Sequence, residues 1–164
     1  MLIHAAGIIK TADFCDLNYL DFDDVLRVNL LGAFHVAQEA TRHMIGSGGR
    51  IVMVTSIHGQ IGVPGRSAYA ASKGAVAALA RVMASELAQH RIRVNVLAPG
   101  AIDGGMLPDP AARRGWISAT PSSRVAYLAE VANVAAMLSS EDASFVNGQI
   151  VAVDGGASTV RPIP

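Results

Sequence analysis

Short apolar runs alternate along this chain with long stretches of helical periodicity, and that alternation constrains the fold more than any other feature. Met1–Ala6 is an apolar run that ends at Gly7, which reads as a buried strand opening into a loop. From about Asn18 to Ile45, Leu20, Val25, Leu26, Leu30, Phe34 and Ala37 recur at helical spacing, and the glycines of Gly46-Ser47-Gly48-Gly49 end the pattern. Arg50–Thr55 is a β-branched strand. An alanine-rich helix is predicted from Ser67 to Gln89. A third strand follows at Ile92–Leu97, stopped by Pro99-Gly100. Residues 101–125 show no clear period and read as a loop with room for a short helix. A helix at Ala129–Leu138 and a strand at Gln149–Val153 complete the order β-α-β-α-β-loop-α-β. Strands that alternate with helices imply right-handed crossovers and one parallel sheet. The expectation is therefore a single α/β domain over residues 1–164.

Composition fits that reading. The chain is 51% hydrophobic and 16% charged, as expected where parallel strands are covered on both faces. Its net charge of zero gives no basic stripe for nucleic acid. No apolar run approaches the roughly 18 residues of a membrane span, and the first residues lack the pattern of a secretory signal. The lone Cys15 excludes an internal disulfide and fits the cytoplasm, the expected location. No His, Cys, Asp or Glu cluster has metal-ligand spacing.

Chemistry concentrates at a few positions. Tyr69 and Lys73 stand four apart on one face of the second long helix. A phenol with a pKa of about 10 is a poor base at neutral pH, and a nearby ammonium favours its ionised form. Tyr69 can then exchange a proton with an alcohol or carbonyl oxygen. Such a spacing arises by chance in roughly one ordinary protein in two or three, so the pair needs company to mean anything. Ser56 supplies it: it lies 13 residues before Tyr69, at the C-terminal end of a predicted strand, the edge where open α/β sheets bind ligands. Asn29 sits mid-helix, an unfavoured place for asparagine.

The segments Val28–Phe34 (VNLLGAF), Ile51–Ser56 (IVMVTS), Tyr69–Ala75 (YAASKGA), Arg93–Gly100 (RVNVLAPG) and Val153–Gly156 (VDGG) resemble, in order and spacing, successive motifs of the short-chain dehydrogenase/reductase family, across nearly the whole chain. The resemblance implies a partial Rossmann-like, doubly wound parallel sheet holding strands four to seven of the family's seven. It also implies an oxidoreductase that interconverts an alcohol and a ketone with NAD or NADP. By position, Tyr69 matches the acid/base and Lys73 the residue that lowers its pKa and holds the nicotinamide ribose. Ser56 matches the residue that orients the substrate carbonyl, and Asn29 the member that holds a water in the proton relay. Ala6, Gly7, Pro99, Gly100 and Ile102 match cofactor-contacting positions. His58, Met106 and Trp116 are candidates for the substrate pocket, although local packing explains each of them about as well. The family's alanine-rich helix faces imply a homo-oligomer or pairing with a full-length relative.

Three departures qualify the resemblance. Family members begin with a strand and a Gly-rich pyrophosphate turn, and nothing here resembles that turn. The expectation is therefore an N-terminally truncated chain whose first strand becomes a sheet edge, a pairing liability. His4-Ala5 stand where the family has two asparagines, and Gly104 stands where Thr or Ser is common. The rival expectation is a degenerate paralogue or a non-catalytic scaffold subunit of a complete relative.

Overall fold

The computed structural model describes residues 1–104, 107 and 109–160. Its sheet has four parallel strands, β1 (Leu2–His4), β2 (Gly49–Val54), β3 (Ile92–Pro99) and β4 (Ile150–Val153), in the order β1-β2-β3-β4. Register is continuous, with Ile3 opposite Val52, Val52 opposite Asn95, and Ala98 opposite Ala152. Among the described residues β1 pairs on one side only, as expected for an edge.

The helical segment expected from Asn18 to Ile45 is not one regular helix. α1 (Tyr19–Leu26) begins at Asn18, whose side chain accepts a hydrogen bond from the Asp21 amide at 2.8 Å. A π-helical turn follows at Arg27–Leu31, and α2 (Gly32–Met44) resumes the ordinary pitch. The Gly32 amide donates to the Arg27 carbonyl, the wide i→i+5 closure of a π-turn. α3 (Ser67–Leu87) is the long alanine-rich helix. The unperiodic stretch 101–125 does contain a short helix, α4 (Pro110–Ala119), started by Asp109 with proline in the first turn. α5 (Leu128–Ser139) matches its expected span within a residue at each end.

Helices cover both faces of the sheet, which makes the sheet doubly wound. On one face Ala33 and Ala37 of α2 and Val76, Ala80 and Ala84 of α3 pack on Ile51, Met53, Val94 and Val96. On the other, Val131, Ala135 and Leu138 of α5 pack on Val52 and Leu97. Small residues on α2 and α3 let those helices sit close to the strands. Polar side chains fix the second layer. Arg93 donates to the carbonyls of Leu138, Ser140 and Val146, and Asn95 bonds the Val146 carbonyl and the Gln149 amide. These bonds tie the end of α5 to the first half of β3, and α5 packs across β2, β3 and β4.

Candidate active site

The C-terminal ends of the strands open into a cavity of about 630 Å³. Its walls are mostly apolar: Val54 and Leu97 form the floor, and Leu128, Val131 and Ala135 form one side. Ser56 and Tyr69, both buried, reach it from two elements. Ser56 follows β2 and caps a one-turn helix at Ile57–Gly59, where its hydroxyl accepts from the His58 amide at 3.2 Å. Tyr69 comes from the first turn of α3, and its phenol faces the Ser56 hydroxyl across the cavity closely enough to be influenced by it.

A glycine makes that meeting possible. A Cβ on Gly59 would come within 2.9 Å of both the Gly74 amide nitrogen and the Lys73 carbonyl carbon. The turn after Ser56 therefore lies directly on the α3 backbone, and any larger residue pushes Ser56 away from Tyr69.

Lys73 and Asn29 stand behind the cavity wall. The Lys73 ammonium is 5% exposed, lies 5.6 Å from the Tyr69 ring centroid and donates to the Val54 carbonyl at 3.1 Å. Asn29, in the π-turn, accepts from the Ile8 amide at 2.7 Å and donates to the Ile8 carbonyl at 2.9 Å and the Ser72 hydroxyl at 3.0 Å. It thereby pins the loop after β1 to α3. Gly7 in that loop sits tightly against both, since a Cβ there would lie 3.2 Å from Asn29 Oδ1 and Lys73 Nζ and oblige them to shift.

The electrostatics differ from the sequence expectation in one respect. Burial pushes the Tyr69 phenol above its ordinary pKa, and the opposing pulls come from the Ser56 hydroxyl and the Arg66 charge. Lys73, expected to exert that pull, is itself lowered by burial to about 8. A lysine lowered in the folded state binds fewer protons than in the unfolded chain between pH 8 and about 10.5. Its burial therefore costs stability fully below pH 8, about 3 kcal/mol, and the cost fades as pH rises through that window. Urea unfolding of the unmodified protein is expected to show this rise from pH 8 to 10. Lys73→Met removes the rise, and a variant whose pH slope matched the parent would contradict the assignment.

The other predicted positions divide. Pro99, Gly100 and Ile102 line the cavity, as does Gly104. Ala6 does not; it is exposed, while its neighbour Ala5 lines the wall. His58 and Trp116 both line the cavity and stack on each other with centroids 5.3 Å apart, and His58 meets Tyr69 edge to face at 5.8 Å. Met106 lies outside the described residues. The residue that sequence reasoning missed is Arg66, which also lines the cavity. Its position three residues before Tyr69 was a signal, but a helix-entry arginine ordinarily reads as solvated.

Known proteins share this arrangement. A family model described as enoyl-(acyl carrier protein) reductase matches residues 1–158. The chain is 39% identical over 159 residues to the 3-oxoacyl-[acyl-carrier-protein] reductase MabA of Mycobacterium tuberculosis, covering 95% of this chain and 64% of the relative. It is 41% identical over 160 residues to the 3-oxoacyl-[acyl-carrier-protein] reductase FabG of Thermotoga maritima, covering 95% and 65%. A crystal structure of a gluconate 5-dehydrogenase from Burkholderia cenocepacia, in complex with NADP and tartrate, superposes with a TM-score of 0.93 at 34% identity, covering 98% and 65%. The chain thus spans just under two thirds of the length of these relatives. On sequence, fold and the placing of its motifs, it belongs to the short-chain dehydrogenase/reductase family.

Proposed function

We propose that the protein is an oxidoreductase that interconverts an alcohol and a ketone with NAD or NADP, Tyr69 handling the proton. The observation that carries this reading is the meeting of the buried Tyr69 phenol with the Ser56 hydroxyl on an apolar cavity at the C-terminal sheet edge. A solved relative that holds NADP supports the choice of cofactor class. The residues present fit a nicotinamide nucleotide. Gly7 carries no side chain beside the Lys73 ammonium, and Pro99, Gly100 and Ile102 line the cavity. Lys73 is a buried ammonium with one hydrogen bond among the described residues, so two of its three donors are free for hydroxyl acceptors. Lys73 and the segments around Gly7 and Pro99–Ile102 would hold the group. When bound, that group supplies hydride exchange with the substrate carbon.

The chain's own residues supply the rest. Ser56 orients the substrate oxygen toward Tyr69 by hydrogen bonding. The raised phenol keeps its proton at neutral pH and can deliver it to the oxygen as carbonyl becomes alcohol; in the reverse direction Tyr69 receives it. The apolar walls exclude water around that exchange. Apolar side chains exposed on the π-turn and α2, among them Leu31 and Val36, support self-association as a homo-oligomer. Among the described residues no helix is long and apolar enough to cross a membrane.

Titration of the chain with NADH and NADPH, followed by calorimetry, tests this reading. Micromolar binding of either, with turnover of simple ketones, is the expected result. A folded protein that bound neither would overturn the reading for this chain and favour the scaffold alternative.

A further inference from the structure

Among the described lining residues of the cavity, Arg66 is the single one that carries a charge at neutral pH. No carboxylate pairs with it among the described residues, and no Asp or Glu appears in the described cavity wall. Its one side-chain hydrogen bond there goes to the Thr11 hydroxyl. A guanidinium has five donors, so most of its capacity is unused. A partly buried cation on an otherwise uncharged, largely apolar wall, without a counter-ion, is a ready partner for an anion that enters the cavity. Its charge reaches the reacting group, since it acts on both Tyr69 and His58.

His58 lies on the same cavity wall. Its Nδ1 is buried with no partner among the described residues, and burial followed by Arg66 lowers its pKa, so the ring is neutral. The stack on Trp116 holds the ring in place.

We propose that the cavity takes a substrate that bears a carboxylate beside its carbonyl or alcohol group, and that Arg66 is the residue that binds that carboxylate. The inference rests on the dehydrogenase reading of this cavity and narrows its substrate to keto acids and their hydroxy-acid counterparts. Arginine suits the task because its planar fork matches the two carboxylate oxygens. The distance from the charge to the reacting carbon sets which keto acid fits, so the probes must vary it.

The test compares pyruvate, acetoacetate and levulinate with their methyl esters as ligands of the full chain, by calorimetry first and by turnover second. At least one acid is expected to bind roughly 10- to 100-fold more tightly than its ester. Arg66→Gln brings that acid down to the level of its ester, and Arg66→Lys, which keeps the charge but not the fork, restores part of the difference. Acids and esters that bind alike, or no binding of either, would overturn the carboxylate assignment whatever the turnover shows. An acid preference that survived in Arg66→Gln would place the anion site elsewhere and overturn it too. An acid preference without turnover of any ketone or alcohol leaves Arg66 in its role and counts against the dehydrogenase reading alone. The acid–ester comparison in the unmodified chain and the lysine variant decide the matter even where the glutamine variant does not fold.

Discussion

Tyr69→Phe is expected to fold normally and to lose turnover by roughly 10²- to 10⁴-fold, the usual worth of a positioned proton donor. Phenylalanine keeps the ring that lies beneath Lys73 and against His58, so packing changes little. What disappears is the oxygen that faces Ser56 on the cavity wall. The pH profile separates this from a merely structural effect. Because burial raises the phenol, the protonated form dominates at neutral pH. Ketone reduction, which needs that proton, should therefore slow as pH rises through the alkaline range, while alcohol oxidation, which needs the base, should speed up. Both limbs vanish in Tyr69→Phe, and nucleotide affinity stays within a few-fold. A variant that retained most of its turnover, or kept either limb, would remove Tyr69 from the chemistry.

The second large effect is on stability. Asn29→Ala is expected to cost about 2–4 kcal/mol, read as a lower urea midpoint with unchanged slope. Asn29 is 1% exposed and makes three hydrogen bonds, two of them to the backbone of Ile8. Truncation leaves an amide, a carbonyl and the Ser72 hydroxyl short of a partner, and an orphaned buried group costs more than the net worth of the bond it lost. Asn29→Asp tests the geometry further, since it keeps the acceptor for the Ile8 amide but loses both donors. It should destabilise too, and a loss below about 1 kcal/mol in the alanine variant would show that water replaces the side chain readily. Loosening the loop at Ile8 also frees Gly7, so nucleotide affinity should fall along with stability.

Much of this site was legible in the sequence because its parts lie on regular elements. Ser56 follows a β-branched run at the ligand-binding edge, and Tyr69 and Lys73 share a helix face; these placements, with the resemblance in the motifs around them, put the three together. All four strands were expected, and each observed strand lies within two or three residues of its predicted ends. The π-turn escaped detection, because inserting one residue into a helix leaves the apolar residues on either side at near-helical spacing. α4 lacked an apolar period; its start rests on Asp109 and Pro110 alone, a weak cue in a segment with several prolines. Ala6 lies in the loop after β1, exposed and off the cavity wall, a placement that an apolar run ending in glycine does not reveal. Arg66 offered only its nearness to Tyr69 in the sequence; what distinguishes it, a place on the cavity wall with no acid paired to it among the described residues, is spatial.

The π-turn has a consequence for rotation. Each residue of an α-helix turns the chain by about 100°. A turn closed by five residues in place of four sets α2 out of phase with α1, so one continuous helical wheel cannot describe the segment from Tyr19 to Met44. Val25 faces inward on one phase, and Ala33 and Ala37 face inward on another. Asn29 lies at the change of phase, where neither wheel alone dictates its direction, and there the segment points an amide, not an aliphatic side chain, at the loop after β1.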